Sequence, residues 1–322
     1  MKIGIVGAGA MGSLLGFYLC ERAEVWLLDP WREHVAAIQA AGLSCELDGV
    51  ATTRRPRATT DPAAIGPCDA LLVLVKAQQT AWAAEQARLL NAERGTRNAE
   101  QLSAFIVQRS ALVVTLQNGV GNRELLAEAL GAARVGQGVT ALGATLLGPG
   151  RVRHAGQGTT VFGTSPDRAG MAALADLFSA CGLPAELSDD LDSLVWGKLV
   201  VNVGINALTA LLRVPNGALA ATPEARALVA AAVAEAVAVA HARGTALPYA
   251  DPLAHVLDVA RATAANRSSM LQDALRGSPT EIATINRAVV REGQRLGVET
   301  PVNRALAELV AALDATIGQR VS

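Results

Sequence analysis

Two sets of residues in this chain have the types and spacing to do chemistry. The first is Gly7-Ala8-Gly9-Ala10-Met11-Gly12, followed by Asp29, 22 positions after Gly7. In a G-x-G-x-x-G pattern the first glycine allows a tight turn and the second lets a pyrophosphate approach the backbone. The third lets a helix pack closely on a strand, and the free N–H groups at the helix start hold the phosphates. An acid in the position of Asp29 binds ribose hydroxyls and repels a 2′-phosphate; Arg32, three residues on, would instead pair with that phosphate. The second set is Lys198, Asn202 and Asn206, each four apart. Four residues advance a helix by about 40°, so the three share one face. One lysine and two asparagines among Val, Leu and Ile suit a cleft where polar groups meet a ligand. A satisfied interhelix network explains the same row.

These residues need elements to position them. Lys2–Val6 is a short β-branched apolar run, Ser13–Cys20 is helical, and Val25–Leu28 is a second strand ending at Asp29. Ala70–Val75 leads into Lys76-Ala77-Gln78-Gln79, and Ala111–Leu116 leads into Gln117-Asn118-Gly119. Polar clusters at the carboxyl ends of buried strands are where open α/β sheets bind ligands. Lys76 and Asn118 are therefore candidates for the cofactor; a surface lysine and a plain Asn-Gly turn are the alternatives. Val135–Val139, Val152–His154 and Thr159–Gly163 read as edge strands with Gly-rich turns, and His154 as structural. Asn91–Gln101 reads as an exposed polar insertion.

Strand signals stop around Pro184–Asp190. The fold class is therefore α/β: a Rossmann-type doubly wound sheet over residues 1–187, followed by an all-α domain over residues 188–322. Ser188 or Asp189 can cap a helix from about Asp190 to Leu212. Pro223–Arg243, Pro252–Arg276 and Pro279–Leu296 read as further helices. Ser278-Pro279-Thr280-Glu281 has the form of a capping box with proline at the first helical position.

The chain has 322 residues, of which 51% are hydrophobic and 18% charged, enough for two packed domains rather than a disordered chain. The net charge of −1 offers no basic excess for a phosphate backbone, so nucleic acid is not an expected partner. Cys20, Cys45, Cys68 and Cys181 form no C-x-x-C pair. No metal site is expected, and the thiols suit a reducing, cytoplasmic setting. The apolar stretch after Lys2 is punctuated by Gly4, Gly7, Gly9 and Gly12, unlike a signal peptide. Asn202, Asn206 and Glu235 interrupt the longest apolar runs, so no membrane span of ~18 residues is expected. The apolar stretch Leu228–Ala240 suits an internal core or a subunit contact, which leaves a homodimer open.

The same residues carry a family resemblance over nearly the whole chain. Gly7–Gly12, Val75-Lys76-Ala77, Gln117-Asn118-Gly119, Lys198-Leu199 with Asn202, Asn206 and Thr209, then Asn216-Gly217, Asn266–Met270 and Thr280-Glu281-Ile282 occur in the order seen in ketopantoate reductases (2-dehydropantoate 2-reductases). The resemblance implies NAD(P)H-dependent reduction of 2-dehydropantoate to pantoate, a step toward coenzyme A. It implies that Lys198 donates the proton, with Glu281 beside it. It further implies that Asn202, Asn206, Asn216, Asn266 and Ser269 contact a small 2-oxo acid, and that Lys76, Asn118 and Glu281 lie near the cofactor's reactive end. A lysine ammonium fits that role, since hydride delivery leaves charge on the ketone oxygen. Departures from the family pattern are Asp29, where NADP users carry a non-acidic residue, Ser278, where arginine is common, and Arg287, where glycine is usual. The cofactor is thus NADP by family and NAD by Asp29. Two alternatives remain: a related dehydrogenase acting on another branched oxo or hydroxy acid, and a dinucleotide-binding regulatory protein without turnover.

Overall fold

A computed structural model describes residues 1–91, 111–163 and 165–319. Beyond Asn91, the polar stretch expected as an insertion lies outside the described residues. The chain forms two compact units: Met1–Gln117 with Asn122–Leu191, and Asn118–Gly121 with Asp192–Ser322.

The first unit opens β1 (Lys2–Val6), α1 (Ala10–Leu19), β2 (Glu24–Leu28), α2 (Arg32–Ala41), β3 (Leu43–Leu47), β4 (Val50–Arg54), β5 (Arg57–Thr59), β6 (Ala70–Val73) and α3 (Thr80–Asn91). It continues with β7 (Leu112–Thr115), α4 (Asn122–Leu130), β8 (Val135–Thr140), β9 (Gly143–Gly148), β10 (Arg151–Gly156), β11 (Thr160–Gly163), α5 (Arg168–Ala180) and β12 (Ala185–Ser188). Eight strands form one sheet in the order β12-β11-β8-β7-β6-β1-β2-β5. All its pairings are parallel except β8 with β11. The chain runs from β1 outward through β2 and β5, then returns to the other side of β1 with β6. The carboxyl end of β1 is therefore the topological switch point, where such sheets bind ligands.

Two expectations need correction here. β8 and β11 are interior strands of the large sheet, not edges. β10 leaves that sheet and joins a second one, β4-β3-β10-β9. Its hairpin β3–β4 turns at Asp48 and Gly49, both with positive φ (49° and 79°), as a tight two-residue turn requires. His154 on β10 accepts from the Tyr18 hydroxyl at Nδ1 (2.9 Å) and donates from Nε2 to the Gly156 carbonyl (3.1 Å), a structural role.

The second unit is helical: α6 (Leu191–Leu212), α7 (Asn216–Ala221), α8 (Pro223–Ala242), α9 (Pro252–Ala262), α10 (Ser269–Arg276), α11 (Asn286–Leu296) and α12 (Pro301–Ala315). Trp196, Val200, Val203, Val233, Ala236, Val289 and Val310 lie in its core. α6 and α8 are long and apolar enough to cross a membrane by length and composition, with 72% and 39% of their windows buried inside the protein. Along α8, Val229, Ala232, Val233, Ala236 and Val239 are buried while Leu228 is exposed.

The expected helix Pro252–Arg276 is two helices. Between them, the Ala264 and Asn266 carbonyls accept the Gly217 and Asn216 N–H groups, and Ser268 caps α10 through Leu271 N–H (3.1 Å). The expected helix from Pro279 starts only at Asn286, and the Ser278–Glu281 capping box does not form. Asp314 takes Thr280 instead, accepting both its N–H (3.0 Å) and its hydroxyl (2.8 Å) at Oδ2.

The start of α12 is held from α8. Glu235 accepts the Val302 N–H (2.8 Å), the Asn303 N–H (2.9 Å) and Asn303 Nδ2 (2.8 Å). Glu235→Ala strands these donors and should cost about 1–3 kcal/mol. Thermal unfolding should show a midpoint several degrees lower; an unchanged midpoint contradicts this role.

Candidate active site

The glycine turn joins β1 to α1 in the first unit. Gly7 has φ +100°, in the region open to glycine. A Cβ on Gly12 would collide with the Gly7 carbonyl oxygen, so the helix can sit this close only without a side chain there. A Cβ on Gly9 would meet no atom within 4 Å. The turn is thus closed beneath and open above Gly9, at the start of α1. That is the shape a pyrophosphate needs, and the residues Gly7, Ala8, Gly9, Ala10, Met11 and Gly12 fit a dinucleotide.

Asp29 follows β2. Its Oδ2 accepts the Ala8 N–H at 2.7 Å and its Oδ1 accepts the Trp31 N–H at 2.9 Å. A carboxylate has about four acceptor positions, so each oxygen keeps capacity for a ribose hydroxyl. Arg32 is the exposed first residue of α2. Lys76 lies half-buried just past β6. Its segment is tied to the end of β7 by Gln117, whose Nε2 donates to the Val75 carbonyl (3.0 Å) and to Thr80 Oγ1 (2.9 Å).

The remaining candidates belong to the second unit. Lys198, Asn202 and Asn206 ride on α6 between fully apolar turns such as Leu199-Val200. Desolvation pushes the Lys198 ammonium down from 10.5 to about 8, and the negative charge of Glu281 partly opposes it. Glu281 is buried, and its Oε2 accepts Asn118 Nδ2 at 3.2 Å. Asn118 is brought there by a turn that needs Gly119. Gly119 has φ +82°, a Cβ there would collide with the Thr284 carbonyl oxygen, and the Val120 N–H donates to that same oxygen (3.2 Å).

Asn216, at the start of α7, donates from Nδ2 to Thr263 Oγ1 at 2.9 Å, while its Oδ1 is buried without a partner. A buried acceptor left open costs about 1–3 kcal/mol unless a ligand fills it. Asn266 and Ser269 are exposed. Ser268 beside them is structural: its Oγ lies 2.7 Å from Thr209 Oγ1 of α6. The helical unit thus joins Lys198 to Glu281 and Asn118, and Asn216 to the Asn266 backbone. Sequence reasoning missed Thr263 and Asp314, which orient Asn216 and Thr280; neither sits in a motif. Among the described residues no metal-binding cluster occurs.

Fold and site together define a nicotinamide dinucleotide oxidoreductase with a Rossmann unit and a helical unit. The comparisons narrow the class. The profile described as ketopantoate reductase PanE/ApbA matches residues 3–167, and that of the ketopantoate reductase PanE/ApbA C terminal matches residues 190–314. The chain is similar to the 2-dehydropantoate 2-reductase of Halobacterium salinarum, 37% identical over 96% of this chain and 98% of that one. It is also similar to the crystal structure of a ketopantoate reductase of the same family from Ralstonia eutropha, with 34% identity, 99% and 100% coverage and a TM-score of 0.87. D-mandelate dehydrogenase, solved with NADH and anilino(oxo)acetate, shares 29% identity over 99% and 100% of the two chains with a TM-score of 0.86. The chain belongs to the ketopantoate reductase family, and is an oxidoreductase acting on CH–OH groups.

Gly9 separates folding from binding. Its φ of −62° suits alanine and its surroundings are open. Gly9→Ala should keep the thermal midpoint while weakening NADH binding by about tenfold or more, because the methyl occupies the phosphate's space. Unchanged affinity in a fluorescence titration contradicts this placement of the pyrophosphate.

Proposed function

We propose that this protein reduces 2-dehydropantoate to pantoate with NADH, using Lys198 as the proton donor. The observation that carries the reading is the charge pair of half-buried Lys198, on the otherwise apolar α6, with buried Glu281. The reduced nicotinamide supplies a hydride to the substrate's keto carbon. The chain's own residues manage the charge and the proton. Lys198 Nζ stabilises the oxygen as charge builds on it and then protonates it, and Glu281 keeps Nζ charged beforehand. A proton donor works best with a pKa near the working pH, and about 8 meets that condition while leaving most Lys198 protonated at neutrality.

Asn202, Asn206, Asn216, Asn266 and Ser269 bind the substrate's carboxylate and hydroxyl. Amides and hydroxyls orient these groups without adding negative charge beside Lys198. Gly7–Gly12 hold the pyrophosphate, and Lys76 and Asn118 serve the cofactor's reactive end. Asp29 sets the preference for NADH: its carboxylate accepts from the ribose diol and repels a 2′-phosphate, and Arg32 stays in solvent. A cytoplasmic setting, with a small-molecule partner, agrees with four free cysteines.

Steady-state oxidation of NADH and NADPH with 2-dehydropantoate, benzoylformate and unbranched 2-oxo acids tests the substrate and the cofactor together. Fast turnover of 2-dehydropantoate with NADH is expected, and Asp29→Ala should shift the ratio toward NADPH. Benzoylformate as the best substrate, or no turnover at all, contradicts the reading.

The pH dependence tests the acid. Only protonated Lys198 donates, and its pKa is lowered to about 8. kcat/KM for reduction should be level at neutral pH and fall as pH rises through about 8. Glu281→Gln removes the influence that raises the Lys198 pKa, so the falling limb should move to lower pH. A limb that stays in place contradicts the pairing.

A further inference from the structure

Beneath the glycine turn runs a chain of polar groups that no step above uses. His34 on α2 is fully buried. Its Nδ1 accepts the Gly150 N–H at 3.0 Å. Gly150 lies in the turn between β9 and β10, with φ +67°, and its carbonyl accepts the Ser44 N–H (2.9 Å). A backbone N–H can only donate, so Nδ1 carries a lone pair and the neutral ring holds its proton on Nε2. Nε2 lies 3.1 Å from Ser13 Oγ and donates to it. The Ser13 hydroxyl then gives its own proton to the Ala8 carbonyl at 2.7 Å. Burial lowers the His34 pKa, against the opposing influence of Asp29 and the Ala8 backbone, and so favours the neutral ring this sequence of donors requires.

The consequence lies in one peptide plane. In a trans peptide the C=O and N–H point to opposite sides. Ser13, itself fully buried, draws the Ala8 carbonyl inward. The N–H of Gly9, in the same peptide, must then point away from that buried side, at a residue whose added Cβ would meet nothing within 4 Å. Asp29 fixes the preceding peptide through the Ala8 N–H. Both planes flanking Ala8 are therefore set before any ligand arrives.

We propose that His34 and Ser13 are positioning residues for the dinucleotide: through the Ala8 carbonyl they aim the Gly9 N–H at the pyrophosphate. This rests on the reading of Gly7–Gly12 as the dinucleotide turn. The pyrophosphate is common to NADH and NADPH, so the relay governs affinity for both equally, whereas Asp29 governs the choice between them.

Three variants separate its arms. Ser13→Ala removes the link to Ala8. His34→Asn keeps an acceptor near the Nδ1 position and loses the Nε2 donor. His34→Gln keeps a donor near the Nε2 position. NADH and NADPH binding are titrated by fluorescence, KM and kcat are measured for both substrates, and thermal midpoints confirm folding. Ser13→Ala and His34→Asn should weaken both dinucleotides by the same factor, about tenfold. The 2-oxo acid KM, and kcat at saturating dinucleotide, should move by less than about twofold. His34→Gln should recover most of the affinity. Wild-type affinity in folded Ser13→Ala and His34→Asn overturns the proposal, as does a matching rise in the oxo-acid KM, which would mark general damage. A wild-type chain that binds neither dinucleotide overturns the cofactor reading itself, and shows this before any substitution is made.

Discussion

Taking the Lys198 amine out of water is the constraint around which the helical unit is arranged. An isolated ammonium in an apolar interior costs several kcal/mol, and a protein answers by neutralising it or by supplying an opposite charge. Here both answers operate: burial lowers the pKa to about 8, and Glu281 holds it from falling further. Glu281 is itself buried and so needs donors, one of which is Asn118. Asn118 reaches it on a turn that only glycine at 119 permits. The backbone next to Glu281 is fixed in turn by Asp314 through Thr280. Each buried polar group calls for the next, and together they explain why α6 carries a lysine on an otherwise apolar helix.

The dinucleotide unit meets a different demand with different means. A pyrophosphate carries its charge close to the main chain, so backbone N–H groups rather than cationic side chains provide the binding surface. Glycines allow the approach, and the switch point of the sheet supplies the opening. The side chain of Asp29 ties the turn to the start of α2, accepting the Ala8 and Trp31 N–H groups. The first unit thus relies on backbone geometry and the second on side-chain electrostatics.

This contrast also decides what can be read from the chain alone. The glycine turn, Asp29 and the Lys198-Asn202-Asn206 row are local patterns with fixed spacing, and they are visible in the sequence. The β3–β4 hairpin had a signal in Asp48-Gly49, but its strands are short and its partner β10 lies about a hundred residues away. α12 likewise had Pro301 at its first turn, but Thr300 before it makes no capping bond and the cap comes from distant Glu235. The segment after Ser278 reads as a helix start because its capping residues are correct. Tertiary partners override that preference: Asp314 captures Thr280, and Glu281 serves Lys198. Local propensity loses wherever a buried charge needs satisfying, and that is where this site lies.

The pair at the centre of the account can be observed directly. The chain's lysines are Lys2, Lys76 and Lys198 alone, so a protein labelled with nitrogen-15 lysine gives three side-chain signals to follow by NMR as pH is raised. One signal, absent in Lys198→Met, should titrate with a midpoint near 8. A Lys198 signal that titrates near 10.5, the ordinary value for a lysine, would contradict the burial of this charge and with it the mechanism built on it.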